Sequence, residues 1–206
     1  METLINEIIA QEWEMFQQVH NEGGRASCQD DHETFVIMRK SQFMIWSEEA
    51  LVSYRGDLKE ALLQGRNLLT EKYAYMMEHT APEEYEKIQG ALPAISPEKG
   101  ELVRLLVEKE VLWRENFNQR FPAYGRLGRP LRKEDAASGD TSIETYAMGE
   151  LKTYSGQTLK LLSDQYQRLE NEGENPAIRI MDYTAQQYGY RDSADAQRQL
   201  EGQMHD

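Results

Sequence analysis

The most chemically loaded stretch of the chain is His20-Asn21-Glu22-Gly23-Gly24-Arg25-Ala26-Ser27-Cys28-Gln29-Asp30-Asp31. It crowds donors, acceptors and one nucleophile into a dozen residues. Two consecutive glycines let the backbone turn into left-handed conformations and approach a ligand closely. Cys28 is expected in the first turn of a helix, near Arg25, and both neighbours favour the thiolate. Asp30 and Asp31 oppose it, because two carboxylates can cancel a helix dipole of about half a charge. Read blandly, the same residues are a glycine helix stop, a serine cap and an acidic first turn around a small buried cysteine.

Glu12 is a second candidate. Ile5, Ile8, Glu12, Phe16 and Val19 follow helical i+3/i+4 spacing, so this carboxylate falls on an apolar stripe. Such placement is costly unless the group is paired or protonated, which makes Glu12 a candidate acid/base. Glu110, between Leu106 and Trp113, sits similarly in a more polar segment. A third group is Asp140-Thr141-Ser142-Ile143-Glu144-Thr145-Tyr146, leading to Glu150 and Tyr154. Thr141 or Ser142 with Glu144 reads as a capping box. Tyr146, Glu150 and Tyr154 lie one turn apart along one face and could instead form a pocket wall. Arg39 and Gln42, three apart, stand at the start of the apolar run Phe43-Met44-Ile45-Trp46 and could point back at the glycine turn.

A basic island is the fourth feature. Between Glu115 and Glu134 no acid occurs, while Arg120, Arg126, Arg129, Arg132 and Lys133 do. Gly125, Gly128 and Pro130 mark this segment as a loop rather than a helix face. Guanidinium forks favour carboxylate or phosphate, so the loop is either an anion-binding lid or a patch against the protein's own acidic surface.

These groups need elements to hold them, and the elements read as helices. Stripes at i, i+3, i+4 recur along the chain and alternating strand patterns are scarce. Helices are expected at about 2–20, from 27–31 onward, from Ser47 to Gly65, from Asn67, from Pro82, from Ser96 to about 121, from 140 to about 169, and from Asn175 to Gly189, with a weak one after it. The expectation is an all-α, irregular, single-domain bundle of seven to nine helices over residues 1–200, with 201–206 a frayed tail. Residues 122–140 form the one long connection, and connections of that length in a compact domain are usually functional or disordered.

Composition narrows the classes. Of 206 residues, 23 are Lys or Arg and 36 are Asp or Glu, giving a net charge of −13. That field repels phosphate backbones and anionic membranes, so neither a nucleic-acid nor a membrane partner is expected. One cysteine excludes a disulfide framework and a thiolate metal cage. The acidic amphipathic start METLINEIIAQEWEMF is unlike a signal peptide, and a cytoplasmic, bacterial-type protein is expected by elimination. No phosphate loop, dinucleotide fingerprint, nucleophile elbow or HExxH occurs. His20, His32, His79 and His205 show no metal-ligand spacing, so no metal site is expected and any cofactor stays unknown.

Three strings together are distinctive: Asn21 to Asp30 with Met38-Arg39, Ser41-Gln42-Phe43; Gly65-Arg66-Asn67-Leu68-Leu69-Thr70-Glu71-Lys72-Tyr73; and Asp140 to Tyr146 with Gly149-Glu150-Leu151. Across nearly the whole chain they resemble a family of bacterial proteins classed only as a domain of unknown function. That resemblance implies no established activity. It allows a partner role beside a nucleotidyltransferase-like domain.

Two functional expectations follow. In the first, a small anionic molecule is bound or turned over by acid/base chemistry. Glu12, Cys28, Glu144 and Tyr146 would be catalytic, with Asn21, Gly24, Arg25, Asp30, Arg39, Gln42, Glu150, Arg126 and Arg129 holding the substrate. In the second, the chain is a non-enzymatic module that docks a protein partner or forms a homodimer on the second and sixth helices. The first depends on the glycine turn and the segment opening at 140 meeting around one hollow.

Overall fold

The computed structural model describes residues 1–20, 24–137 and 140–203. Among them are eleven α-helices and no strand: α1 Glu2–Gln17, α2 His32–Phe43, α3 Glu48–Leu63, α4 Leu68–Thr80, α5 Pro82–Ile88, α6 Pro97–Arg120, α7 Pro122–Gly125, α8 Ile143–Thr153, α9 Gly156–Asn171, α10 Pro176–Gln187 and α11 Ser193–Gln203. Three 3-10 turns join them, at Ser27–Asp30, Gln89–Ala91 and Lys133–Asp135.

Local chemistry places most boundaries. Side-chain oxygens of Asp31, Ser47, Asn67, Ser96, Ser142, Ser155 and Asn175 each accept a backbone N–H of the helix that follows. At the end of α3, Gly65 takes φ +67°, and the Arg66 N–H then reaches back to the Ala61 carbonyl at 2.8 Å. That left-handed step, cheap only for glycine, satisfies an orphan carbonyl.

The helix count exceeds the seven to nine expected from sequence. The segment from 140 to 169 is two helices, because Tyr154 is extended (ψ 151°) and Ser155 opens α9. Asp57 on α3 makes the break affordable: its Oδ2 accepts from the Ser155 N–H at 2.9 Å and from the Thr158 hydroxyl at 2.7 Å. Residues 27–30 form a separate 3-10 turn rather than the first turn of α2, so Cys28 precedes that helix. Of the two capping residues the sequence offered, Ser142 rather than Thr141 caps α8. Part of the 122–140 connection is itself helical, as α7 and a 3-10 turn. Helix α11 runs on to Gln203, past the expected start of the frayed tail, and residues 204–206 lie outside the described residues.

Two apolar clusters share the interior. The larger takes Ile8, Phe43, Leu51, Leu58, Val103, Leu106, Leu159 and Leu162 from α1, α2, α3, α6 and α9. The smaller joins Phe117, Phe121, Tyr124, Met181, Ala185 and Ala196. Helix α6, 24 residues and about 36 Å long, feeds both, Val103 to Val111 into the first and Phe117 into the second. Helices α4 and α8 pack closely at Gly149, which leaves no room for a side chain: a Cβ there would lie 2.5 Å from Met76 Cγ and 2.7 Å from the Lys72 carbonyl oxygen.

Candidate functional site

Glu12, Arg39, Lys72 and Glu150 come from α1, α2, α4 and α8 and are all buried. The Arg39 fork clasps Glu12, Nε to Oε2 at 2.7 Å and Nη2 to Oε1 at 2.6 Å. Its Nη1 donates to Glu150 Oε1 at 2.8 Å and to Gln42 Oε1 at 2.5 Å. Lys72 Nζ donates to Glu150 Oε2 at 2.5 Å. The Tyr54 and Tyr154 hydroxyls complete the carboxylates, donating to Glu12 Oε1 and Glu150 Oε1 at 2.6 Å each. Two charges of each sign therefore sit in the interior with their oxygens bonded, the condition under which buried ions are tolerated.

Electrostatics shifts Glu150, Arg39 and the two phenols. Burial alone would push the Glu150 carboxyl up, but Arg39 and Lys72 hold it well below the usual carboxylate range. Burial likewise opposes charge on Arg39, and the carboxylates of Glu12 and Glu150 more than restore it. Both phenols are pushed far up, by burial first and then by the adjacent carboxylates, so they stay proton donors. Glu12 is wholly inaccessible, and each of its oxygens already accepts hydrogen bonds. The cluster ties α1, α2, α3, α4 and α8 together.

Its outer edge is Tyr146. Lys72 Nζ lies 3.6 Å from the centroid of that ring, and the Arg129 guanidinium carbon 5.5 Å from it. Burial pushes the Tyr73 hydroxyl up, and the neighbouring Tyr146 and Cys28 add to it. Cys28 itself is exposed.

The rest of the glycine turn is held by its own residues. Arg25 pairs with Asp30 (2.8 Å), reaches the Gln29 carbonyl (2.8 Å) and bonds Gln17 Oε1. Gln29, which the sequence reading passed over, is buried beneath: its Nε2 donates to the Phe16 and Val19 carbonyls at 2.9 and 3.0 Å, sealing the end of α1. Gly24 takes φ +87° in open space. Asn21 and Gly23 lie outside the described residues. Glu144 faces the basic loop, with Oε2 accepting the Lys133 N–H at 3.0 Å and Oε1 3.9 Å from Arg132. It sits at the second position of α8, so no capping box forms there.

The basic loop walls a cleft of about 420 Å³ lined by Asn118, Pro122, Gly125, Arg126, Gly128, Arg129, Pro130 and Leu131. Its C-terminal arm is anchored to α8, where the Pro130 and Leu131 carbonyls accept the Ile143 and Glu144 N–H groups at 2.9 and 3.0 Å. Arg132 turns to the protein's own surface and clasps Glu108 at 2.8 and 2.7 Å. Arg129 stacks near Tyr146 and meets no carboxylate among the described residues.

Beneath the cleft is Arg114 on α6. Among the described residues its only hydrogen bond runs from Nη1 to Met181 Sδ (2.6 Å), its Nε is buried without a partner, and no carboxylate pairs with it. Burial pushes this guanidinium down from its ordinary value. The Asn118 Oδ1 is also buried and unpartnered. Gly125 and Gly128 cover these groups: a Cβ at 125 would lie 2.6 Å from Asn118 Oδ1, and one at 128 would lie 2.7 Å from Arg114 Nη2.

The structure therefore gathers Glu12, Arg39, Gln42 and Glu150 into one buried cluster with Tyr146 at its margin. It places Arg126 and Arg129 at a separate cleft, and Gly24, Arg25 and Asp30 on the surface turn. Lys72, Tyr54 and Arg114 had been missed. The signal that marked Glu12 was present for two of them: Lys72 lies among Leu68, Leu69 and Met76, and Arg114 between Val111 and Phe117, each a charge on an apolar stripe. On the outer faces of α2 and α6, Met38, Leu105 and Leu112 are exposed.

Among the described residues, no three His, Cys, Asp or Glu side chains are grouped to hold a metal ion, and no helix is long and apolar enough to cross a membrane. No curated protein and no solved structure matches the chain. A family model described as "Protein of unknown function (DUF4125)" matches residues 2–198, and the chain belongs to that family.

Proposed function

We propose that the protein is a binding domain for a small anion, seated in the cleft between the end of α6, α7 and the loop 126–131. The observation that carries this reading is Arg114. A half-buried guanidinium without a counter-ion is costly, whereas Arg39 and Lys72, the buried cations among the described residues, each have their carboxylate. A chain of net charge −13 has acids to spare, yet among the described residues none pairs with Arg114. Its charge is left to act through the thin, side-chain-free floor at Gly128. Two unit charges 4 Å apart attract by about 4 kcal/mol at an effective dielectric of 20. Arg129 adds a second guanidinium at the wall, and a cleft near 420 Å³ falls in the range that small ligands occupy. No carboxylate lines it, so binding rather than proton transfer is the chemistry the lining supports.

The test is anion binding by the wild type and by Arg114→Met, followed by titration calorimetry and by the ligand-induced rise in melting temperature. Wild type binds inorganic phosphate or a simple carboxylate, and Arg114→Met, still folded, loses that binding at least tenfold. A wild type that binds no anion at millimolar concentration, or a variant that binds as well as wild type, overturns the reading.

A further inference from the structure

The loop that walls this cleft is an ordered basic platform with an apolar tip. Between Glu115 and Glu134 the chain carries Arg120, Arg126, Arg129, Arg132 and Lys133 and no acid. Arg132 is paired with Glu108. Among the described residues no carboxylate pairs with Arg120 or Arg129, which lie instead 5.2 and 5.5 Å from the Phe121 and Tyr146 rings. Leu127, between the cleft residues Arg126 and Gly128, is 68% exposed. Turn hydrogen bonds hold it there: the N–H groups of Gly125, Arg126, Leu127 and Gly128 donate to the Phe121, Pro122, Tyr124 and Gly125 carbonyls at 2.7, 3.3, 3.2 and 3.1 Å. The other end of the loop is tied to α8 through Pro130 and Leu131. Guanidiniums around an apolar side chain on fixed backbone are the make-up of a protein interface, since arginine is enriched there and a prearranged surface loses little freedom on binding.

The cleft beside this tip is open: Pro122, Arg126, Gly128, Arg129 and Pro130 are all exposed. Small-molecule sites bury about 70–90% of their ligand, so this lining suits a group carried on a larger body that covers it from outside. We infer that the anion is a side-chain carboxylate of another protein, presented by an acidic segment that contains leucine, an inference that rests on the binding reading above. A carboxylate of the segment meets the guanidiniums of Arg114 and Arg129, and its leucine packs on Leu127. Charge complementarity selects such a partner. At physiological salt the screening length is about 8 Å, so a short segment on the loop feels the local island of cations. A second copy of the chain or an anionic membrane is a broader body and also meets the net charge of −13.

The probes are the peptides EELEELEE, EESEESEE and KKLKKLKK, inorganic phosphate, acetate, and phosphatidylserine-rich vesicles. Each is titrated by calorimetry into the full chain and into Leu127→Ser and Arg114→Met. Leu127 lies outside both apolar clusters, so Leu127→Ser leaves folding intact. The expected result is that EELEELEE binds at least tenfold tighter than EESEESEE, because the leucines add buried apolar area to the charge attraction. Leu127→Ser removes that gain without changing phosphate or acetate binding, and Arg114→Met weakens both acidic peptides at least tenfold. Phosphate or acetate binding with no preference between the two acidic peptides, or a preference that Leu127→Ser leaves intact, overturns the docking surface while the Arg114 reading stands. Acidic peptides that bind Arg114→Met as tightly as wild type overturn both. Binding of KKLKKLKK or of the vesicles in place of EELEELEE overturns the acidic protein partner. If none of the probes binds, both readings fall.

Discussion

Arg39 and Glu150, 111 residues apart, meet at 2.8 Å in the interior and close a four-ion cluster that joins five helices. The net worth of such a cluster is small compared with the cost of breaking it, since removing one partner strands the others in a low-dielectric environment. Geometry rather than bulk stability is its gain: α1, α2 and α8 must hold their places for the Arg39 fork to reach both carboxylates.

Glu150→Gln tests that geometry. The substitution keeps size but leaves Lys72 and Arg39 with one negative charge fewer between them. We expect a loss of about 3–5 kcal/mol, read by urea denaturation, and a melting temperature lower by roughly 6–20 °C for a chain of this length. Lys72→Met combined with Glu150→Gln should cost less than the sum of the two single changes, because the pair is coupled.

The pH profile separates Glu150 from Glu110. Glu150 is depressed in the fold, so its contribution is present above the unfolded value of about 4.3 and is lost as pH falls below it. Glu110, bonded to the Tyr166 hydroxyl at 2.6 Å, is pushed by burial up to about 7. Its fold binds a proton that the unfolded chain has released, so stability falls as pH rises from about 4.3 to 7 and the penalty is complete above that. Glu110→Gln keeps an acceptor for Tyr166. It should flatten the decline between pH 5 and 7 and stand above wild type at pH 8 in chemical denaturation.

Arg114→Met should leave the ligand-free protein as stable as wild type or more so, by up to about 1–2 kcal/mol, since it removes a half-buried charge without a carboxylate and fills the space with a thioether. Equilibrium unfolding without added anion measures it. A structural role for Arg114 would give the opposite sign.

Gly149→Ala should destabilise by about 1–3 kcal/mol. Met76 can move, but the Lys72 carbonyl 2.7 Å from the new Cβ is backbone, so α4 and α8 must separate. Faster amide exchange along both helices, with α10 and α11 unaffected, would locate the damage.

Much of the secondary structure was written in local spacing. Ser47, Asn67, Ser96 and Asn175 cap the helices that the apolar stripes outlined, and Gly65 ends α3, because caps and stripes involve residues three or four apart. A charge on such a stripe was equally legible, and it picked out Glu12 as a residue with something to satisfy. The break at Ser155 was hidden, since the stripe runs through it and only Asp57, almost a hundred positions earlier, supplies the hydrogen bonds that make it affordable. The partner of Glu12 was hidden for the same reason. Several cations were available, and which one reaches a given carboxylate depends on how helices cross, a quantity set by packing at Gly149 and in the two apolar clusters. The basic loop showed its charge in sequence. That Arg132 spends its charge on Glu108 while Arg114 keeps its own uncompensated, beneath two glycines, is a matter of which surfaces the folded chain brings to face one another.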